Sequence, residues 1–140
     1  MNAPPNIQSF AFSSREFLRL IESYGLTGNW GWTFATNEHV WSAGFYRLLG
    51  LEPRTVRPSY ELFLGLVHPE DRPEIETSAQ IMQQGLLQDH TFRVIRPDGS
   101  IRILSGRSEI YFAPDGRPRG AAGMVLDITD REALARLQAA

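Results

Sequence analysis

Apolar residues recur along this chain with two periods, and the places where the period changes outline its elements. Phe17, Leu18, Ile21 and Tyr24 fall at helical spacing. Ser13 and Glu16, just ahead of them, have the spacing of a capping box, in which the serine hydroxyl accepts from the Glu16 amide and the carboxylate reaches back. Gly25 stands where a left-handed C-cap is wanted, so the pattern predicts an amphipathic N-terminal helix. From Asn29 to Phe34 the period shortens to two, and Trp30, Trp32 and Phe34 share one face, as in a half-buried strand. Thr36-Asn37-Glu38 has turn chemistry, and His39 to Trp41 returns antiparallel. Ser42 can cap a short helix through Phe45, Tyr46, Leu48 and Leu49, closed by Gly50. Tyr60 to Val67 reads as another short helix, ended at His68 because the residue before Pro69 disfavours helical backbone. Glu70, Asp71, Glu74 and Glu76 cluster where a third helix is expected, near the positive end of its dipole. Pro73 would sit in its first turn, Ile75, Ala79, Ile81 and Met82 along it, and Gly85 at its end.

In the last third, two identical Pro-Asp-Gly turns at residues 97–99 and 114–116 divide three β-rich segments, Thr91 to Arg96, Ile101 to Phe112 and Ala121 to Ile128. Each turn puts proline where φ is already set and glycine where φ must be positive. Thr129 and Glu132 repeat the capping-box spacing, so a helix is expected straight after the last strand. The resulting order predicts an α+β fold: a five-stranded antiparallel sheet with short helices on one side, plus an N-terminal amphipathic helix and a C-terminal exit helix. The intervening helices let the first strand lie beside the last. Residues 1–12 read as a flexible tail, 13–26 as the flanking helix, 27–129 as the domain, and 130–140 as the start of a linker helix. Ala133, Leu134 and Leu137 give that helix an apolar stripe, as in the beginning of a coiled coil. A frayed tail is the plainer alternative, since two isolated turns are marginal in water.

Composition narrows the chemistry. At 140 residues, with 42% apolar and 21% charged, the chain can bury a core of ordinary size as one domain. A net charge of −2 gives no electrostatic case for nucleic acid. No apolar run reaches the length of a membrane span, which points to a cytoplasmic protein without membrane insertion. Cysteine is absent, which excludes disulfides, thiolate metal sites and a cysteine nucleophile. All fourteen basic residues are arginine, so a lysine Schiff base is excluded as well.

Four stretches, in order and at the right spacing, resemble the PAS family, in particular the subgroup common in bacterial sensor histidine kinases and diguanylate cyclases or phosphodiesterases. They are Val40-Trp41-Ser42 leading to Tyr46-Arg47-Leu48-Leu49-Gly50; Val67-His68-Pro69-Glu70-Asp71-Arg72; Phe92-Arg93-Val94-Ile95-Arg96-Pro97-Asp98-Gly99-Ser100-Ile101-Arg102; and Gly123 with Asp127-Ile128-Thr129. The similarity runs from about Asn29 to Glu132. One departure is Ile103, where the family often has tryptophan after Arg102. The resemblance implies a non-catalytic sensory and dimerisation module that relays a signal to a downstream effector domain. Asp127, Ile128 and Thr129 would carry that signal, Asp127 pairing with a basic group such as Arg102 or Arg107. Phe17, Leu18, Ile21 and Tyr24 would form the contact of a homodimer.

The remaining candidates divide between chemistry and structure. His68, before a proline at a helix start, reads as a structural histidine rather than a haem ligand or general base. Haem-binding relatives place their axial histidine in the long helix, and none lies between Glu74 and Gly85. His39 and His90 have no partner at metal-ligand spacing. A flavin adduct needs the missing cysteine, so no cofactor is identified. The paired acids Glu70 and Asp71 fit a helix N-terminus better than acid–base work. Trp30, Trp32 and Trp41 read as core before they read as stacking platforms. Gly120-Ala121-Ala122-Gly123 leaves two readings open. One is a small-molecule cavity lined by Leu49, Ile81, Phe92, Val94 and Met124; the other is close packing of the N-terminal helix. A ligand-free interaction domain is the alternative function. A small cavity enzyme, with Glu109 as its strand carboxylate, is the remote one.

Overall fold

A computed structural model describes residues 13–131 and Ala135. Helix α1 (Ser14–Glu22) starts as the pattern requires, with the Ser13 hydroxyl accepting from Glu16 N at 3.1 Å. It stops one turn short of Gly25, at a right-handed Ser23 cap. The Glu22 carboxylate there accepts from Asn29 Nδ2 at 2.7 Å and fastens the helix end to the sheet. Strands β1 (Thr27–Thr33) and β2 (Glu38–Trp41) form a hairpin in which Trp30 faces Trp41, with Asn37 in the left-handed turn. The Ser42 hydroxyl then accepts both from Phe45 N, as N-cap of α2 (Ala43–Leu48), and from Asn29 N of β1. One side chain thus fixes where the chain leaves the sheet.

Helix α3 (Tyr60–Leu66) is capped by Ser59 and ends at Val67, whose extended backbone bridges Val94. The single long helix expected from Glu70 onward is broken in two. Arg72–Glu74 is one 3₁₀ turn, the chain is extended at Ile75, and α4 (Ser78–Gln84) begins afresh from a reciprocal capping box between Thr77 and Gln80. The acids explain the break. Asp71 turns away to bind Arg93, Glu76 turns inward to His90, and Ile75 packs on the core; a continuous helix could not point these side chains in those directions. Gly85 ends α4 with φ of 63°, as expected.

Strands β3 (His90–Ile95), β4 (Ile101–Phe112) and β5 (Pro118–Asp127) form the closing meander, with Gly99 and Gly116 at φ of 87° and 88° in its two turns. The sheet order is β2-β1-β5-β4-β3, antiparallel throughout, with β1 paired to β5 from Thr27↔Leu126 to Thr33↔Gly120. The first strand therefore lies beside the last. The core sits between one face of this sheet and the helices, in two clusters. The larger gathers Phe45, Leu48, Leu49, Val67, Val94 and Leu104; the smaller gathers Trp32, Phe34, Ile81 and Ala121.

Missing side chains set how closely layers approach. A β-carbon on Gly28 would overlap the Phe45 backbone and one on Gly44 would overlap the Thr27 carbonyl, so α2 lies directly on β1 because both side chains are missing. A β-carbon on Gly123 would come within 2.6 Å of the Trp30 indole, which lies across it. Gly31, pointing the other way, has nothing within 4 Å of an added β-carbon. Replacing Gly28 by alanine is expected to cost about 1–3 kcal/mol through overpacking, whereas Gly31→Ala should stay within about 0.5 kcal/mol of the parent. Urea unfolding of both variants checks this, and equal costs would show that α2 can move off the strand.

Candidate functional site

The inner sheet face and the helices enclose an apolar cavity of about 80 Å³, open on one side. Alternation along the strands decides what faces it. Trp30 and Trp32 come from β1, Trp41 from β2, Phe92 from β3 and Val125 from β5, while Phe45, Phe63 and Ile81 close it from the helices. The rings meet edge to face: Phe63 and Phe92 at 5.4 Å and 90°, Trp41 and Phe45 at 5.0 Å and 89°. Such pairs contribute about 0.5–1.5 kcal/mol each beyond their buried area. Trp32 is fixed in plane by His39 and Tyr60, which stack on it at 4.6 and 5.2 Å, and by its Nε1–H bond to Asn37.

A few polar groups interrupt this wall. The buried Glu76 carboxylate accepts from His90 Nε2 at 2.8 and 3.1 Å and from Gln88 N at 3.4 Å. The Tyr60 hydroxyl donates to the Glu76 carbonyl at 2.6 Å. Burial, opposed in part by the Glu61 charge, lowers the His39 pKa and keeps that imidazole neutral near pH 7. Burial, reinforced by Glu76, raises the Tyr60 phenol well above its usual value. Arg107 borders the cavity from an exposed position. Ser108 also lines it, and its hydroxyl is buried with no hydrogen-bond partner among the described residues.

The five residues expected to line a pocket are dispersed. Ile81 and Phe92 border the cavity; Leu49 and Val94 are fully buried beside it in the core; Met124, 47% exposed, lies on the opposite face of the sheet. Alternation accounts for the misplacement, because Val125 and Gly123 turn inward and Met124 cannot follow them. The small residues of β5 mainly accommodate neighbouring tryptophans: Trp30 covers Gly123, and Ala121 packs in the cluster of Trp32 and Ile81. Glu109 is exposed on the outer face, away from the cavity. His68 caps its own turn, Nδ1 accepting from Glu70 N while its amide donates to Arg93 O. Glu76, read in the sequence as a helix-terminus acid, and His90, read as a strand residue without a partner at ligand spacing, pair across 14 positions that share no period, so nothing in the pattern joins them, and Ser108 carried no signal.

At the far end of β5 a second constellation forms. Asp127 is buried and accepts from Arg102 Nε at 2.8 Å, and its other oxygen takes both Thr129 N and the Thr129 hydroxyl. That hydroxyl accepts in turn from Ile103 N at 2.8 Å, while Ile128 N donates to Ile103 O. Asp127 N donates to Leu26 O, just after α1. Burial pushes the Asp127 pKa up, but the Arg102 and Thr129 hydrogen bonds and the Arg102 charge outweigh it, and the carboxyl stays below its usual range. Residues 129–131 are helical, so Thr129 sits inside the exit helix, and Asp127 does the capping expected of it. Glu132, Ala133, Leu134 and Leu137 lie outside the described residues. In α1, Phe17 is 47% exposed, Ile21 is half-buried and the Leu18 side chain lies outside the described set; Tyr24, expected on the same helix, falls in the turn after its end and is 75% exposed.

Comparison with known proteins agrees with this architecture. The sequence model of the family described as "PAS fold" matches residues 38–125. The "Sensor protein FixL" of Bradyrhizobium diazoefficiens is 28% identical over 113 residues, covering 80% of this chain and 22% of that protein. The chain thus spans about a fifth of this curated relative. A sensory box histidine kinase/response regulator from Burkholderia thailandensis superposes with a TM-score of 0.65 at 22% identity, over 86% of this chain and 91% of that one. The N-terminal domain of a diguanylate cyclase with PAS/PAC sensor from Marinobacter aquaeolei gives a TM-score of 0.65 at 18% identity, over 76% and 98%. No helix among the described residues is long and apolar enough to cross a membrane.

The segment roofing the cavity is anchored by Asp71, which accepts from Arg93 Nε, Nη2 and backbone N at 2.8–3.0 Å. Those hydrogen bonds, then the Arg93 charge, hold its carboxyl at about 2 against an ordinary 3.8. A depressed folded pKa contributes stability that is present above pH 3.8 and lost as the pH falls toward 2. Acid unfolding should therefore steepen in that window, and Asp71→Asn should flatten it; an unchanged acid limb would show that the pair adds nothing.

Proposed function

This chain belongs to the PAS fold family, and we propose that it is the input module of a larger signalling protein, taking up a small molecule in the aromatic cavity and relaying the change through its terminal strand. Likeness to a sensor protein, to a sensory box histidine kinase and to a cyclase-linked sensor domain supports an input role ahead of an output domain. Catalysis would then belong to the rest of such a protein.

The observation that carries this reading is the tie at Asp127. It joins β4 through Arg102, the exit helix through Thr129 and the N-terminal segment through Leu26. Val125, two residues earlier on the same strand, borders the cavity. A shift of β5 against β4 would change the Arg102 and Thr129 bonds together, which is the two-state element a ligand must bias to be sensed. Asp127, Ile128 and Thr129 are the relay. Asp127→Ala should cost about 1–3 kcal/mol, the value of hydrogen bonds to a charged group. The domain should still fold, and in the full-length parent the output should stop responding to input. Output that still follows input in that variant would refute the relay.

The same module would work as a homodimer through the exposed stripe of α1. Phe17 on α1 and Tyr24 in the turn just after it sit in water in a single copy of the chain, and Ile21 between them is half-buried; Leu18 belongs to the contact by its sequence spacing. Light scattering should give a dimer mass for the parent and a monomer mass for the Phe17→Glu, Tyr24→Glu double variant. A parent that is monomeric at all concentrations would exclude this contact. The stripe would serve equally in a ligand-free interaction domain, where dimer formation persists but no small molecule binds.

A further inference from the structure

Resting on the input role given above, we propose that the cavity takes an uncharged, apolar molecule of about three non-hydrogen atoms, held by contact with the surrounding rings. Volume sets the size. An apolar cavity of about 150 Å³ accommodates benzene, with six such atoms, and this one has about 80 Å³. A single aromatic ring is therefore too large, and a fused or porphyrin group larger still. The walls are not free to widen. His39 and Tyr60 stack on Trp32 at 4.6 and 5.2 Å, Trp30 lies against Gly123, and Phe63 meets Phe92 edge to face at 5.4 Å. Admitting a ring would break such contacts before it made its own, because a close-packed interior gives way poorly.

The chemistry of the walls sets the polarity. Trp30, Trp41, Phe45, Phe63, Ile81 and Val125 supply carbon surface. The polar groups that interrupt it are engaged elsewhere: the Glu76 carboxylate by His90 and Gln88 N, the Tyr60 hydroxyl by the Glu76 carbonyl, and the Trp32 indole N–H by Asn37. The Ser108 hydroxyl is buried from the cavity too. Water there would find few of the two to four polar partners it needs. A charged molecule would lose its hydration to a wall with His39 neutral and no free buried counter-charge among the described residues. An apolar molecule gives up little on entry and restores the dispersion contacts that a void denies its lining atoms. Three atoms also bound the affinity. The ceiling on binding free energy per non-hydrogen atom puts the dissociation constant no lower than about 0.5 mM. The molecule that fills this cavity is therefore one abundant around the protein.

Gly106 and Met124 supply the controls. A β-carbon added to Gly106 would meet the Phe92 ring at 3.6 Å and the His90 carbonyl at 3.8 Å, ordinary contacts, while occupying cavity space. Met124 lies on the other face of the sheet. Nuclear magnetic resonance of the chain under xenon and under cyclopropane, against benzene and acetate at equal concentration, tests the proposal. Xenon and cyclopropane should shift the Trp30, Ile81 and Val125 resonances saturably and leave Met124 in place, whereas benzene and acetate should shift none of them. Gly106→Ala should weaken both apolar probes about tenfold while the circular dichroism stays native, and Met124→Leu should leave their affinity unchanged. No saturable shift with either probe, benzene binding as tightly as cyclopropane, acetate moving the same resonances, or full affinity in a native Gly106→Ala variant would overturn the ligand class. The relay through Asp127 is read from output in the full-length parent, so its failure is separate from this one.

Discussion

The antiparallel pairing of β1 with β5 is the contact from which the rest of the molecule follows. Its residues lie some ninety positions apart, and closing a loop of that length costs roughly 4 kcal/mol of chain entropy before any contact repays it. The return is large because the pairing does several things at once. It brings Trp30 onto Gly123, puts Trp32 against Ala121, and draws Leu26 to Asp127 at the far end. Without it there is no inner face for the helices to cover and no single point where both ends of the domain meet.

Close approach is what makes that pairing productive. Gly28 allows α2 to lie on β1, and Gly123 allows an indole to lie flat on the neighbouring strand. Large aromatics and absent side chains are therefore complementary. The cavity is what remains where this complementarity is incomplete, next to Gly106, and its small volume follows from how much of the space the tryptophans already fill.

Polar groups inside and beside this apolar layer act as fasteners between elements distant in sequence. Asp71 with Arg93 holds the segment between α3 and α4 to the sheet, Glu76 with His90 and Tyr60 holds the roof, and Asp127 with Arg102 and Thr129 holds the exit. Each carboxylate would have suited the positive end of a helix dipole. Each goes instead to a specific donor on another element, because a buried or half-buried charge is stabilised more by a directed hydrogen bond than by a diffuse dipole in reach of water.

Local signals in the sequence sufficed to determine much of this protein. Ser13 and Ser42 as caps, Gly50 and Gly85 as stops, the two Pro-Asp-Gly turns and the alternation of Trp30, Trp32 and Phe34 each act within a few residues of themselves. The strand order could be inferred because so few topologies suit that succession of elements. The exit was legible through Asp127 and Thr129, with Arg102 one of two partners considered. The site was legible only in part. Ile81 and Phe92 border the cavity, whereas Met124 lies on the other face of the sheet, since parity along a strand is set by what the next strand needs and not by hydrophobicity alone. The broken helix after His68, the Glu76–His90 pair and the lone Ser108 hydroxyl were decided only by the tertiary structure. Their causes are directional contacts between residues far apart in the chain, and a one-dimensional pattern carries no term for those.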